Sequence, residues 1–170
     1  MGVESLEELY VDQLRDIFDA ENQLLRALPK MVKASSSPEL RTAFEDHLEK
    51  TREHVRRLEE IFRTLGHPTK GKTCKAMAGL IEEGEELLSN DSDPSVRDAG
   101  LIASAQKVEH YEIAGYGCAR TFAQQLGHEE VAALLQETLD EEGSTDKKLT
   151  ELAESVVNPE ALAAGVGEEE

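Results

Sequence analysis

The sequence lacks tryptophan, and aromatic residues are only 4% of its 170 positions. It has no stretch of four or more strand-type residues in convincing alternation, so a β-sandwich or barrel has no support. It has no apolar run near the length a bilayer requires. Its start, MGVESLEELY, has no basic flank leading into an apolar stretch, which is the pattern of a secretory signal. The two cysteines, Cys74 and Cys118, form no Cys-x-x-Cys pair, which argues against a disulfide framework or a structural zinc knuckle. Both read as packed thiols in a reducing, cytoplasmic compartment. Positive charge is scarce: 18 Lys and Arg stand against 36 Asp and Glu, a formal charge of −18. Phosphate backbones and anionic membrane surfaces repel such a chain, so neither nucleic acid nor membrane is an expected partner.

Helical periodicity, by contrast, is plentiful. Apolar residues recur every three or four positions between clear breaks, which counts against disorder despite the charge. The breaks are Ser35-Ser36-Ser37-Pro38, Gly66-His67-Pro68, Asp91-Ser92-Asp93-Pro94, Gly127-His128 and Asn158-Pro159. Ser37 and Asp93 stand where N-caps belong, each followed by a proline at the first helical position. The spacing predicts long helices over 4–34, 38–65, 94–126 and 128–156, and a short one over 74–88. Two hairpins joined by a long crossover give an all-α, ferritin-like four-helix bundle. The bundle is expected over 1–157, followed by an acidic, flexible tail over 158–170.

Each long helix carries an inward stripe. The first is Leu6, Tyr10, Leu14, Ile17, Glu21, Leu24, Leu28 and Met31. The second is Leu40, Phe44, Leu48, Thr51, Val55, Leu58, Phe62 and Leu65. The third is Ile102, Ala105, Glu109, Glu112, Tyr116, Ala119, Ala123 and Leu126. The fourth is Val131, Leu135, Thr138, Glu142, Thr145, Leu149, Leu152 and Val156. The polar interruptions Glu21, Thr51, Glu109, Glu112 and Glu142 all fall near helix middles, where a bundle brings residues to one level. A lone Glu on such a stripe usually snorkels to water from its edge. Four at one level on three helices are harder to explain so. Buried carboxylates must neutralise or meet a cation. Iron or manganese suits hard oxygen ligands; a water-filled or proton-sharing polar core is the competing reading. His47 and His54 flank Thr51 at the stripe's edge and can add imidazole ligands, although an ordinary surface or hydrogen-bonded histidine fits equally well there. Asp146, one turn after Glu142, completes the candidates. Gly115 and Gly117 suit a close helix approach or a bend, while His110 and Glu49 point away.

The stretch Gln106-Lys107-Val108-Glu109-His110-Tyr111-Glu112-Ile113-Ala114, with Tyr116 following, resembles the signature of the YciE/YciF family of bacterial stress-associated, ferritin-like proteins. Ala20-Glu21-x-Gln23-Leu24, Ala43-Phe44-x-x-His47-Leu48-Glu49, Met77-x-Gly79-Leu80-Ile81-Glu82-Glu83 and Thr138-Leu139-x-Glu141-Glu142-x-x-Thr145-Asp146 extend the likeness in order. The resemblance implies a rubrerythrin-like bundle, commonly a homodimer, in a bacterial cytoplasm under stress. Di-iron proteins of this architecture usually supply Glu-x-x-His from two helices. Here Arg52 follows Glu49 at that spacing and Thr145 follows Glu142, while the third helix offers Glu109-x-x-Glu112. The expected cofactor is therefore iron, as one ion or a di-iron pair, or manganese. Its expected role is oxidation or peroxide removal, with a non-catalytic helical scaffold as the alternative.

Overall fold

The computed structural model describes residues 3–89 and 91–166. Helix α1 spans Leu6–Ala34, α2 Pro38–Leu65, α3 Lys75–Ser89, α4 Pro94–Gln125 and α5 Glu129–Leu152. A π-helical turn, Ala153–Val157, follows α5, and α6 spans Asn158–Val166. The caps act as their residue types require. Ser5 accepts from the amide of Glu8, Ser37 from Leu40, and Asp93 from Ser95 and Val96. Gly66 ends α2 at φ 70°, a left-handed conformation that glycine adopts without a Cβ penalty.

Packing arranges the four long helices in a square. Helix α1 lies beside α2 and α4, and α5 lies beside α4 and α2. One apolar layer joins the start of α1 (Tyr10, Leu14) to the ends of α2 (Leu58, Phe62) and α4 (Ala119, Ala123), and to the start of α5 (Leu135). The other joins the end of α1 (Leu24, Leu28) to the starts of α2 (Phe44) and α4 (Leu101), and to the end of α5 (Leu149). Thus α1 runs antiparallel to α2 and α4, and α2 runs parallel to α4. The link between α2 and α4 must therefore travel the length of the bundle, as in the ferritin-like fold. Helix α3 lies within that link and packs on α4 and α1. The backbone amide of Cys74 donates to Asp19 at 2.8 Å, tying the crossover to α1.

One buried carboxylate fastens the hairpin to the rest. Asp98 on α4 accepts the amides of Ser36 at 3.0 Å and Ser37 at 2.7 Å, both in the α1–α2 turn. Hydrogen bonds to a charged acceptor are stronger than neutral ones, and losing this acceptor strands buried donors. Asp98→Ala is expected to lower stability by about 2–3 kcal/mol in urea unfolding, with Asp98→Asn intermediate.

Three local expectations change. Asn158-Pro159 does not end the helical run. The π turn passes the chain into α6, where Pro159 sits in the first turn and needs no amide donor. The expected tail is accordingly helical over 158–166 and lies against α4; residues 167–170 lie outside the described residues. The π turn also shifts the seam, so that Ala153 and Val157 are buried in place of Leu152 and Val156. Cys118 is exposed rather than packed, while Cys74 is buried. Gly115 does serve a close approach: a Cβ there would lie 3.2 Å from Ile17 Cγ1, whereas one at Gly117 would meet nothing within 4 Å.

Candidate metal centre

Between the two apolar layers lies a polar one. Glu21, His47, Thr51, His54, Glu109, Glu112, Thr138 and Glu142 are buried there, each at most 2% exposed. The carboxylates occupy the stripe positions that periodicity assigned to them. The histidines do not sit at an edge. The seam of α2 runs Leu40, Phe44, His47, Thr51, His54, Leu58, Ile61, alternating steps of four and three residues. Following the apolar residues Leu48 and Val55 displaced the expected stripe by one position; both are only partly buried. The strict 4-3 alternation was the signal that could have placed the histidines inward.

Six of the seven candidate ligands form two groups. His47, Glu109, Glu112 and Glu142 make one; Glu21, His54 and Glu142 make the other. Within each group, one donor atom per residue lies within 4.8 Å of every other, and Glu142 belongs to both. Asp146 lies outside them. Its carboxylate faces His110 at 3.4 Å and accepts from Gln106 at 3.2 Å. His110 and Glu49 are exposed, as their stripe positions imply.

The contacts have the character of a ligand set. His47 Nε2 lies 3.1 Å from Glu109 Oε1, and His54 Nδ1 lies 3.2 Å from Glu21 Oε1 and 3.1 Å from Glu142 Oε1. Yet His47 Nε2, His54 Nδ1 and both oxygens of Glu109, Glu112 and Glu142 make no aligned hydrogen bond among the described residues. Atoms this close, buried and not pointed at one another are costly unless a third body satisfies them. Adjacent ligands of a six-coordinate ion with ~2.1 Å bonds lie about 3.0 Å apart, so these separations suit a shared cation. Four carboxylates, two imidazoles and no thiolate favour hard or borderline metals such as iron and manganese. Two divalent ions would balance four carboxylates in full.

Burial, reinforced by the neighbouring carboxylates, drives the Glu109 and Glu112 carboxyls well above their ordinary range. Glu21 is also raised by burial, against the opposing contacts of His54. Burial likewise opposes the charged form of Glu142, but the close positive charge of His54, 3.1 Å away, outweighs that and holds it low. Burial depresses His47 to about 4. It works against the charge of His54 too, but Glu142 and Glu21 overcome it and raise that ring to about 10.

Around this layer, Tyr116 donates to Glu21 Oε1 at 2.5 Å, and its ring meets His54 edge-on. Helix α5 contributes Glu141, which periodicity had not singled out, at 2.9 Å from His54 Nε2. A small, mostly apolar pocket, open to solvent, lies between α1, α3 and α4. Leu24, Leu28, Leu80, Leu101 and Val108 line it, and it reaches His47.

Fold and site together define an all-helical, ferritin-like bundle with a carboxylate–histidine cluster in its core. The chain belongs to the DUF892 family, a domain of unknown function whose model matches residues 5–162. Protein YciF of Escherichia coli (strain K12) is 46% identical over 162 residues, covering 95% of this chain and 98% of that protein. The crystal structure of the E. coli stress protein YciF superposes with a TM-score of 0.88 over 91% of this chain and 98% of that one. YcfI from Rhodopseudomonas palustris follows at 0.84 and 39% identity, over 87% and 94% of the two chains. A protein from Xanthomonas campestris pv. campestris, at 0.73 and 20% identity over 95% and 99%, shares the fold. No helix among the described residues is long and apolar enough to cross a membrane.

Proposed function

We propose that this protein is a metal-binding member of the bacterial stress response, holding iron or manganese between its two apolar layers. The observation that carries the reading is the set of buried, unaligned ligand atoms converging on Glu142. Glu21, His54 and Glu142 would hold one ion, and His47, Glu109, Glu112 and Glu142 a second, which makes Glu142 the shared ligand. Iron held there would supply one-electron chemistry toward dioxygen or peroxide.

The chain's own part is to bind, orient and exclude water. Tyr116 donates to Glu21 and leaves its second oxygen for an ion. The apolar layers keep bulk water from the ligands, and the cavity ending at His47 suits a small uncharged oxidant better than a charged one. The chain has no paired Cys-x-x-Cys of a rubredoxin module, so electrons for a peroxidase cycle would come from an external donor.

The test is elemental analysis after adding Fe(II) or Mn(II) to metal-free protein and removing the excess. Close to two ions per chain are expected; binding of neither metal would refute the reading and favour a helical scaffold. We propose further that the protein is a cytoplasmic homodimer, as the family resemblance implies. Light scattering is expected to return twice the chain mass of 18.7 kDa.

A further inference from the structure

His54 is fully buried, and its two ring nitrogens face different surroundings. Nδ1 faces Glu21 and Glu142, in the ligand cluster. Nε2 faces the other way, 2.9 Å from Glu141 Oε2. Glu141 belongs to neither ligand group, and its side chain is one-third exposed. It precedes Glu142 by one residue, so the two carboxylates leave α5 about 100° apart and reach opposite edges of one imidazole.

Glu141 is itself held. Arg57, one turn beyond His54 on α2, donates from Nη1 to Glu141 Oε2 at 2.9 Å. The same nitrogen donates to the Thr138 hydroxyl at 2.6 Å, and Nη2 donates to Glu137 at 3.0 Å. Three partners on α5 thus fix the guanidinium, and the guanidinium fixes the carboxylate. An unbroken series of contacts runs from the surface to the cluster: Glu137, Arg57, Glu141, His54.

We propose that Glu141 is a positioning residue for the metal centre: it accepts the Nε2–H of His54 and thereby reserves Nδ1 as the ligand atom. A neutral imidazole carries one N–H and one lone pair, so a fixed acceptor at one nitrogen decides which atom can bind. A carboxylate acceptor also increases the basicity of the ligating nitrogen and locks the ring's orientation. Arg57 keeps Glu141 in place, with an effect one step removed. The assignment rests on the metal-binding reading above. Its rival is a purely structural role, in which Arg57 and Glu141 only clamp α2 to α5.

Co(II) titration of the full chain, followed by absorbance, separates these roles. Glu141→Ala is expected to weaken Co(II) binding by about 10–100-fold, the usual effect of losing such a partner. Glu141→Gln, whose amide oxygen still accepts the ring proton, is expected to stay within several-fold of wild type and so rescue most of the loss. Arg57→Ala, which breaks the clamp and leaves the acceptor, should fall between them. Nitrogen-resolved NMR of the Zn(II)-loaded protein supplies a second readout. A slowly exchanging Nε2 proton on His54 is expected in wild type and Glu141→Gln, and its loss in Glu141→Ala. Wild-type affinity in Glu141→Ala, or equal losses in Glu141→Ala and Arg57→Ala, would overturn the assignment. Failure of Glu141→Gln to rescue would overturn it as well. A wild-type chain that binds no Co(II) would instead overturn the metal reading beneath it.

Discussion

Metal-free protein saturated with Mn(II), or with Fe(II) under anaerobic conditions, is expected to melt about 5–10 °C higher than the same sample in chelator. A ligand that binds only the folded state at a hundred times its dissociation constant adds about 2.7 kcal/mol. For a chain of this size each kcal/mol is worth about 2–4 °C. The gain has a structural source. The polar layer leaves both oxygens of Glu109, Glu112 and Glu142 buried without aligned partners, and a cation satisfies them together. Glu142→Ala is expected to abolish the shift, because both groups lose a ligand at once. In the metal-free state the same variant leaves His54 opposite fewer carboxylates, so its own stability must be measured alongside by differential scanning calorimetry.

The second large effect is on pH dependence. Metal-free protein is expected to lose stability steadily as pH rises above 6.5, whereas metal-loaded protein is not. His54 keeps its proton up to about pH 10 in the folded chain, while an unfolded histidine releases it near 6.5. Between those values the folded state binds the extra proton, so raising the pH favours unfolding. One such proton corresponds to about 1.4 kcal/mol per pH unit. Glu109 and Glu112, raised by burial and by the carboxylates around them, act with the same sign. His47, depressed to about 4, acts oppositely but only below 6.5, where the unfolded ring is charged and the folded one is not. Metal binding displaces these protons, so its stabilising effect grows with pH. Urea unfolding at pH 6.5, 7.5 and 8.5, with metal and with chelator, checks the divergence. Equal slopes in the two series would contradict it. Calorimetry in buffers of different ionisation enthalpy is expected to detect proton release on binding.

Much of this buried carboxylate–histidine cluster was legible in the sequence. Glu21, Glu109, Glu112 and Glu142 interrupt apolar stripes at mid-helix, and all four are buried in the layer between the two cores. His47 and His54 were legible in part. Their 4-3 spacing with Thr51 pointed inward, but Leu48 and Val55 offered a competing apolar path one residue away. Asp146 shows the converse: its spacing from Glu142 invites a ligand role, yet its side chain pairs outward with His110 and Gln106. Pro159 misled for a local reason, since a proline can open a helix as readily as it ends one, and α6 begins there.

By itself the sequence determined helices α1 to α5, the Ser37 and Asp93 caps, the hairpin–crossover–hairpin order and the four acidic positions that share the bundle interior. Those follow from local rules: periodicity, capping and the cost of burying charge. Only the tertiary structure decided that Glu142 joins both candidate ligand groups, that both α2 histidines turn into the core, and that Glu141 and Arg57 back His54 from outside. These depend on how far each helix is turned about its axis and on its level against its neighbours. The apolar stripe of α5 turns Glu142 inward, but Glu141, about 100° around the helix, meets the far edge of His54 only at one mutual setting of α5 and α2, and nothing local to either helix fixes that setting. It is set by close packing of the two apolar layers on either side.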